Sequence, residues 1–332
     1  MKAEILTLLR ERRDYVSGQE LCERFGVSRT AVWKAIGQLK KEGYRIEAVQ
    51  NRGYLLMPEE EVYGQHELES RMGTKWAGHP LCYYDELPST NLQAKLDAEN
   101  GAPQGALVVA DMQTAGRGRR GRAWSSPAGM NAYFTLILKP EFPVEMASMV
   151  TLVMGLAVAE GIRETCGVEA RVKWPNDIVI KGRKVCGMLA EMSTERDFIH
   201  YIVMGVGINV KRQEFVPEIA DMAICLEQEC GKPVSRARLI ANVMGIFERY
   251  YDIFRRDGNL EGFLETYNEL LAGRDGEETV TIEDWEALGG GFRYELACSL
   301  GKRVPRVYIQ NGQVTGTRDY LKDTWPRWAG EP

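Results

Sequence analysis

The sequence predicts an α+β chain of three units: a small helical head closed by a hairpin, a larger central domain built on a mixed sheet, and a small β-rich tail. Apolar residues recur at helical spacing over the first 43 positions, and strand-like segments mix with helix-like segments from position 66 to position 273. A chain of 332 residues also exceeds the usual size of one compact domain. The predicted domains are residues 1–57, 66–275 and 277–332.

Three short helices are predicted in the head. The first covers residues 3–13, whose apolar residues share one helical face. The segment Ser17-Gly-Gln-Glu20 has the form of a capping box and predicts the start of the second helix. Ser28 is the expected N-cap of a third helix that ends near Gly43.

A two-stranded hairpin is predicted to follow these helices. Residues 44–49 and 54–57 alternate between apolar and polar side chains around the turn-rich tetrapeptide 50–53. The order helix, helix, turn, helix, hairpin predicts a winged helix-turn-helix. The acidic segment Pro58–Glu61 is then expected to be a short solvated linker.

Strands and helices mix in the central domain. The strand candidates are Ala106–Ala110, Tyr133–Leu138, Arg171–Lys173, Ile178–Ile180, Met188–Glu191 and Ile202–Val206, and the helix candidates are Asn91–Glu99, Ser148–Cys166 and Ser235–Arg256. The short turn Lys181–Arg183 joins two of the strands and favours a mixed or antiparallel sheet. The segment from Glu277 onward is predicted to form a small β-rich domain.

Composition excludes several classes of protein. Hydrophobic residues make up 44% of the chain and charged residues 27%, which excludes disordered, collagen-like and coiled-coil proteins. The apolar stretch Met149–Ala159 is too short to cross a bilayer, and residues 1–14 lack the pattern of a signal peptide. Seven cysteines without a C-x-x-C pair argue against a disulfide framework or a zinc knuckle. A cytoplasmic protein without a membrane partner is expected.

Charge is distributed unevenly along the chain. Residues 1–57 contain 11 Lys and Arg against 7 Asp and Glu, a net charge of +4. Residues 58–332 contain 31 bases against 40 acids, a net charge of −9. A basic head on an acidic body predicts that only the head binds an anionic polymer such as DNA.

An anion-binding loop is predicted at Gly116–Arg122, which reads GRGRRGR. Three glycines allow close approach of the backbone to a ligand, and four arginines supply cationic forks suited to phosphate or carboxylate. The alternative is a solvated basic loop that binds nucleic acid nonspecifically. That alternative does not account for the interleaved glycines.

Three further segments carry chemistry of the same kind. Lys173–Asp177 reads KWPND and presents Asn176 and Asp177 at the start of a strand, although a simple Pro-Asn-Asp turn would read alike. Ser89–Asn91 is either a ligand-binding segment or an N-cap. Gly205–Asn209 joins two close-approach glycines to an amide.

These segments, in this order and together with Lys184, resemble the biotin protein ligases. With a winged helix-turn-helix in front of them, residues 1–275 are similar to the bacterial bifunctional biotin ligases that also repress the biotin operon. The resemblance implies a central domain of the biotin/lipoate ligase type and a small SH3-like tail domain. The tail departs from the family pattern at Trp285–Phe292 and Asp323–Gly330, so the resemblance does not extend over it.

The resemblance implies a two-step reaction. Biotin and ATP give biotinyl-5'-AMP and pyrophosphate, and the biotin then passes to one lysine of a biotin carboxyl carrier protein, as in acetyl-CoA carboxylase and other biotin-dependent carboxylases. Mg²⁺ accompanies ATP, without a dedicated protein metal site, and Asp177 is a candidate near it. Adenylate binding is expected to promote a homodimer, so that biotin is both a substrate and the precursor of the corepressor. No covalent enzyme intermediate is implied.

The same resemblance assigns roles to residues. The biotin-binding set comprises Ser89, Thr90, Asn91, Gln113, Arg117, Gly118, Arg119 and Lys184. The ATP-binding set comprises Arg119, Arg120, Arg122, Trp124, Asn176 and Asn209, with Trp124 expected to stack on adenine. The catalytic set comprises Arg119, Lys184 and Asp177.

Operator DNA is the expected partner of the third head helix. Its face away from the core presents Arg29, Thr30, Trp33, Lys34 and Gln38, and the wing adds Arg52. A winged helix used only for protein contacts is the alternative, and the positive charge of the head favours DNA.

Two other functions stay open at this point. One is lipoate or octanoate transfer on the same fold, and the other is a ligand-sensing repressor without catalysis. The three histidines are too scattered in sequence for a metal site or a catalytic triad, and Cys186 is expected to be a buried packing residue rather than a nucleophile.

Overall fold

A computed structural model describes residues 1–58, 62–195, 198–272, 305–310 and 313–319. The head contains three helices and a hairpin, as predicted: α1 Lys2–Arg12, α2 Gly18–Phe25, α3 Arg29–Lys41, β1 Ile46–Val49 and β2 Gly53–Leu56. The hydroxyl groups of Ser17 and Ser28 accept the backbone N–H of Glu20 and Ala31 at 3.0 and 3.2 Å, so both serines are N-caps. Residues 59–61 of the predicted linker lie outside the described residues.

The central domain is built on one seven-stranded sheet. Its strands are β3 Leu81–Leu87, β4 Leu107–Gln113, β5 Ala132–Leu138, β6 Arg171–Lys173, β7 Asp177–Ile180, β8 Arg183–Glu195 and β9 Phe198–Ile208. They lie in the order β3-β4-β5-β9-β8-β7-β6. Only the pair β3 and β4 is parallel among these neighbours, which confirms a mixed sheet.

Helices cover both faces of this sheet. They are α4 Gln65–Arg71, α5 Thr90–Glu99, α6 Met149–Cys166, α7 Leu226–Cys230, α8 Arg236–Asp257 and α9 Leu264–Leu270. The larger core lies between the sheet and the helices α6 and α8, whereas a smaller core forms under α5 on the opposite face. Residues 144–166 form the one helical stretch of the described residues that is long and apolar enough to cross a membrane, and most of it is buried as a core helix.

Several predicted boundaries were wrong. The strand expected to end at Ala110 continues to Gln113, because β3 pairs with it as far as the register Leu87 to Gln113. Strands β8 and β9 are longer than the candidates 188–191 and 202–206, because they pair with each other along ten registers despite their polar ends. The elements α4, α7, α9 and β3 were not predicted.

The head contacts the central domain through α1 and α4. The hydroxyl of Thr7 donates to the carbonyl oxygen of Ser70 at 2.9 Å. The guanidinium of Arg10 donates to the carboxylate of Glu67, which is buried and also pairs with Arg71.

In the tail, β10 Pro305–Gln310 and β11 Gln313–Asp319 form an antiparallel hairpin. The remainder of the predicted β-rich tail lies outside the described residues.

Candidate functional site

A cavity of about 730 Å³ lies on the face of the sheet that carries α5. Every sequence segment singled out above contributes to its lining, although these segments are up to 120 positions apart. The predicted residues that line it are Ser89, Thr90, Asn91, Gln113, Arg117, Gly118, Arg119, Arg122, Trp124, Asn176, Asp177, Lys184 and Asn209. The backbone of Arg120 lies in the same loop, and its side chain lies outside the described residues.

Strand register brings distant residues into one row across the sheet. Asp177 on β7 is opposite Gly187 on β8, and Gly187 is opposite Gly207 on β9. The two glycines leave room for an indole ring on the sheet. A Cβ atom at Gly207 would stand 2.6 Å from Nε1 of Trp124, and one at Gly187 would stand 3.1 Å from its Cζ3. Trp124 therefore lies directly on the backbone of two neighbouring strands.

The segment that carries the arginines, residues 114–128, is named here the arginine loop. It folds back on itself, because the N–H of Gly118 donates to the carbonyl of Arg122 at 2.7 Å and that of Trp124 donates to Gly116 at 2.9 Å. The guanidinium of Arg119 donates to Oδ1 of Asn176 at 3.0 Å. This bond joins the GRGRRGR and KWPND segments within the cavity.

Lys184 and Asp177 form an ion pair in the cavity. Their Nζ and Oδ1 atoms are 2.7 Å apart, and the Lys184 ammonium also lies 5.3 Å from the centre of the Trp124 ring. Both side chains are partly exposed, so a ligand can reach them. The arrangement presents a cation, an acceptor carboxylate and an aromatic face to the same space.

Polar groups are tightly paired at the end of the cavity near α5. The Oε1 atom of Gln113 accepts from the backbone N–H and the hydroxyl of Thr90 at 2.9 and 3.1 Å. Thr135 is fully buried on β5; its hydroxyl donates to Oδ1 of Asn91 at 2.7 Å and lies 2.8 Å from the hydroxyl oxygen of Thr90. Sequence reasoning missed Thr135, although a threonine in the strand AYFTLIL, among aliphatic and aromatic residues, was a usable signal.

Glu191 is a second residue that sequence reasoning missed. Its carboxylate accepts from Nδ2 of Asn91 at 2.8 Å and pairs with Lys95. Burial alone would raise the pKa of Glu191, but these hydrogen bonds and the charges of Lys95 and Arg117 hold it below its ordinary value. Glu191 therefore stays ionised and fixes the orientation of the Asn91 amide.

A second loop, residues 211–225, also borders the cavity. Its backbone flanks Lys184, whose N–H donates to the carbonyl of Met222 at 2.7 Å and whose carbonyl accepts from Ile224 at 3.0 Å. Val216, Ile219 and Met222 line the cavity and are 40 to 61% exposed. Apolar residues in a polar loop were the signal that could have identified this segment.

Asn209 is held at the base of this second loop. Its side-chain amide donates to the carbonyl of Ile224 at 3.3 Å, and its backbone N–H donates to Val185 at 2.8 Å. The residue is 7% exposed and lines the cavity. Its amide is therefore fixed in orientation next to the space beside Trp124.

Residues expected to be structural are placed as such. Cys186 is fully buried on β8, and burial raises the pKa of its thiol, which disfavours the thiolate that a nucleophile needs. His66 lies beside Glu42 at 3.1 Å and His200 beside Glu195 at 3.6 Å, both away from the cavity. Among the described residues, no group of three or more His, Cys, Asp or Glu side chains could hold a metal ion.

The predicted DNA-contact residues share the exposed face of α3. The list comprises Arg29, Thr30, Trp33, Lys34 and Gln38, all exposed. Trp33 is 67% exposed, unusually high for an indole. In the wing, the guanidinium of Arg52 lies 4.0 Å above the ring of Tyr15. A cationic and aromatic surface of this kind is available to a large partner.

Comparison with known proteins decides the family. Residues 83–209 match the Biotin/lipoate A/B protein ligase family, and residues 2–55 match an HTH domain. The bifunctional ligase/repressor BirA of Bacillus subtilis (strain 168) is 42% identical over 252 residues, 75% of this chain and 76% of that protein. The chain belongs to the bifunctional biotin ligase/repressors. This membership confirms the resemblance read from the motifs and the predicted fold class.

Two further relatives agree with this assignment. The bifunctional ligase/repressor BirA of Escherichia coli (strain K12) is 30% identical over 257 residues, 77% of this chain and 78% of that protein. A solved biotin protein ligase from Aquifex aeolicus in complex with biotin and ATP is 32% identical, with a TM-score of 0.53 over 59% of this chain and 79% of that chain. Neither a lipoate or octanoate transferase nor a repressor without catalysis is favoured by these matches.

Proposed function

We propose that this biotin ligase and repressor forms biotinyl-5'-AMP from biotin and ATP in the 730 Å³ cavity and transfers biotin to a lysine of a biotin carboxyl carrier protein. The observation that carries the proposal is the convergence of the Ser89–Asn91 segment, the arginine loop, the KWPND segment and Lys184 on that one cavity. The predicted domain boundaries and residue roles are part of the same proposal.

Adenylation must bring a carboxylate against a polyphosphate, two groups that repel each other. Cations fixed in position offset this repulsion without reorganising during the reaction. Arg117, Arg119 and Arg122 border the cavity, and Arg119 is held by Asn176 at 3.0 Å. We assign Arg119 to the carboxylate and phosphate of the adenylate, Arg117 to biotin, and Arg120 and Arg122 to the phosphates of ATP.

The ureido ring of biotin needs paired donors and acceptors in a largely apolar pocket. The hydroxyl and amide groups of Ser89, Thr90, Asn91 and Gln113 supply both kinds. Because these groups are already fixed by mutual hydrogen bonds, little side-chain entropy is lost on binding. For adenine, Trp124 supplies a flat apolar face and Asn209 a fixed amide.

Lys184 and Asp177 are proposed to act in turn. The ammonium of Lys184 is paired with Asp177 at 2.7 Å. A bound biotin carboxylate competes for that ammonium, so Lys184 polarises the carboxylate while Asp177 is released. The free carboxylate of Asp177 is then available to orient the acceptor lysine and accept its proton in the second step.

Mg²⁺ is proposed to enter with ATP, whose phosphate charge it would neutralise. Carboxylate oxygen is a ligand type that Mg²⁺ prefers, and Asp177 is a carboxylate residue of the cavity lining that fits this requirement. The protein contributes the placement of the phosphates through the arginine loop. No dedicated protein metal site is proposed.

The head is proposed to bind operator DNA as part of a homodimer formed when the adenylate is bound. Its exposed face on α3, its net charge of +4 and the cationic wing support contact with a polyanion. Two heads in one dimer would bind an inverted repeat as a linked pair. We place this activity in the cytoplasm, where the carboxylases and the operator are found.

Biotin-dependent exchange of pyrophosphate into ATP tests the proposal. The full chain should exchange label with biotin and not with lipoate or octanoate. Lys184→Ala should reduce the exchange rate strongly, whereas Lys232→Ala, a lysine on an exposed loop away from the cavity, should not. Exchange with lipoate alone would identify a lipoate ligase, and no exchange with any acid would leave a ligand-sensing repressor.

A further inference from the structure

Three polar side chains outside the lining of the cavity join the two ends of the arginine loop; we name Arg236, Asp111 and Asn131 the polar node. Arg236 is the first residue of α8 and is 4% exposed. Its Nη1 atom lies 2.6 Å from Oδ1 of Asp111 and 3.3 Å from the carbonyl oxygen of Asn131. The other Asp111 oxygen accepts from the N–H of Gly129 at 2.9 Å. Asp111 precedes the loop, and Gly129 and Asn131 follow it.

The polar node also holds the start of the second loop. Asn131 is 1% exposed, and its Oδ1 atom accepts from the N–H of Val210 and from Nε2 of Gln213, both at 2.9 Å. Its Nδ2 atom donates back to Oε1 of Gln213 at 3.3 Å. Gln213 lines the cavity, whereas Asn131 does not. One connected network therefore anchors both loops that border the ligand space.

The aromatic ring of Tyr63 packs against Arg236 of the polar node. The Tyr63 ring lies 3.8 Å from the guanidinium carbon of Arg236, and its edge meets Tyr83 with centroids 5.6 Å apart. Tyr63 follows the linker that leads from the DNA-binding head. A cation against an aromatic face is stabilised most when water is excluded, as at this site.

Packing alone does not explain an arginine at position 236, because burying its charge there is unfavourable. A cation in the first turn of a helix faces the positive end of the helix dipole, and burial of a guanidinium carries a large desolvation cost. Well-packed apolar residues often replace such buried pairs without loss of stability. What an apolar side chain cannot supply is a directed bond to two loop ends at once.

We propose that Arg236 is a positioning residue for adenylation, because it fixes the bases of the arginine loop and the second loop through Asp111 and Asn131. The inference rests on the proposed function for the reaction that is affected, but the anchoring of the two loops by Arg236 does not depend on that function. Loosening the node should let both loops open more often and release the adenylate faster.

Arg236→Lys is the first test, because it keeps the charge and loses the planar fork. Arg238→Lys is the matched control: the same change, two residues along α8, at an exposed position. In the full chain, release of labelled biotinyl-AMP should become of the order of tenfold faster for Arg236→Lys, within the range reached by changes in coupled networks. The KM for ATP should rise more than kcat falls. The Arg238→Lys protein should match the wild type.

A second variant guards against a loss of folding. Arg236→Met combined with Asp111→Asn removes both charges of the ion pair and keeps an amide oxygen that can accept from Gly129. This protein should retain a cooperative melting transition and still release the adenylate faster. A well-folded double variant with wild-type release would overturn the inference, as would equal effects of Arg236→Lys and Arg238→Lys.

Hydrogen exchange in the ligand-free chain gives a readout that needs no activity. Amides of residues 114–128 and 211–222 should lose protection in Arg236→Lys, while those of β5 and the middle of α8 keep theirs. Unchanged protection of both loops would overturn the inference even if the enzyme were inactive. A wild-type chain that makes no adenylate would instead contradict the proposed function, and the exchange data would still decide the role of Arg236.

Discussion

Substituting Gly205 by alanine tests how closely the biotin end of the cavity is packed. Gly205 on β9 lies directly beneath the Asn91 side chain. A Cβ atom at that position would stand 2.9 Å from Cγ and 3.1 Å from Nδ2 of Asn91, and closer still to its Oδ1 atom. Carbon atoms prefer separations of about 3.5 Å or more, so the amide must move by more than roughly 0.5 Å.

That movement would break three hydrogen bonds of the Asn91 side chain. Asn91 accepts from Thr135 at 2.7 Å and donates to Leu189 at 3.2 Å and to the carboxylate of Glu191 at 2.8 Å. Net values of about 1 kcal/mol for each of the two neutral bonds and about 2 for the charged one give a loss on the order of 4 kcal/mol. For a domain of this size, that corresponds to roughly 8 to 16 °C in melting temperature.

Catalysis should suffer at the biotin end and not at the ATP end. Displacing a substrate-contacting amide by about 1 Å costs up to about a hundredfold in rate. The KM for biotin in the exchange assay should therefore rise at least about tenfold, while the KM for ATP changes little. Gly245→Ala, at an exposed position of α8 with no atom near the new methyl group, should instead stabilise the protein by about 0.5 to 1 kcal/mol.

A double variant decides whether Asn91 is the cause. In an Asn91→Ala background the obstacle is gone, so adding Gly205→Ala should cause little further loss of stability or of biotin affinity. Additive losses in the double variant would show that the glycine is needed for another reason. A Gly205→Ala protein with wild-type melting temperature and wild-type KM for biotin would refute the assignment of Asn91 to the biotin pocket.

Four other predictions use different residues. Trp124→Ala should raise the KM for ATP much more than that for biotin, and equal effects would mean that the ring only packs the loop. Arg119→Gly should let the adenylate escape and label lysines of bystander proteins, which mass spectrometry detects. An Arg119→Gly protein that still labels only its proper acceptor would contradict this role of Arg119. Lys184→Ala should instead slow formation of the adenylate. A chain starting at Val62 should lose operator binding in a gel shift but keep exchange activity. It should be less stable, because Glu67 loses its partner Arg10. In the full chain, Arg29→Ala or Trp33→Ala should weaken DNA binding and leave the exchange rate unchanged. The backbone N–H groups of Lys75, Trp76 and Ala77 hold the pKa of Glu248 below its ordinary value, although burial opposes this. The stabilisation by the ionised Glu248 is therefore present at neutral pH and is lost as the pH falls through the lowered pKa. In Glu248→Gln, the free energy of unfolding measured in urea should fall less steeply as the pH is lowered.

The head could be read from the sequence because its signals are local. Ser17 and Ser28 bond to N–H groups only three residues away, and such short-range capping follows directly from residue type and spacing. The apolar residues on one face of each helix face a single small core. That core is formed within the first 62 residues, so these signals need no distant partner segment.

The sheet order and part of the site could not be read in the same way. Strand β3 was missed because Leu81–Leu87 contains exposed polar residues and is held mainly by parallel pairing with β4. Thr135, Glu191 and Arg236 act through partners 44 to 125 positions away. A sequence shows that these residues are polar, but it does not show which distant group satisfies them.

The motifs were nevertheless visible, and the register of the strands explains why. A side chain of the cavity that lies flat on the sheet requires glycine where the strands pass beneath it, and Gly187, Gly205 and Gly207 leave that room for Trp124 and Asn91 on neighbouring strands. Asp177, Gly187 and Gly207 are paired in one row, so the KWPND and GVGIN segments meet at fixed distances through β8. The spacing between those segments is set by strand lengths rather than by local structure. Short motifs of glycine, amide and charge therefore mark the cavity in the sequence, whereas the buried node that holds its loops leaves only isolated polar residues.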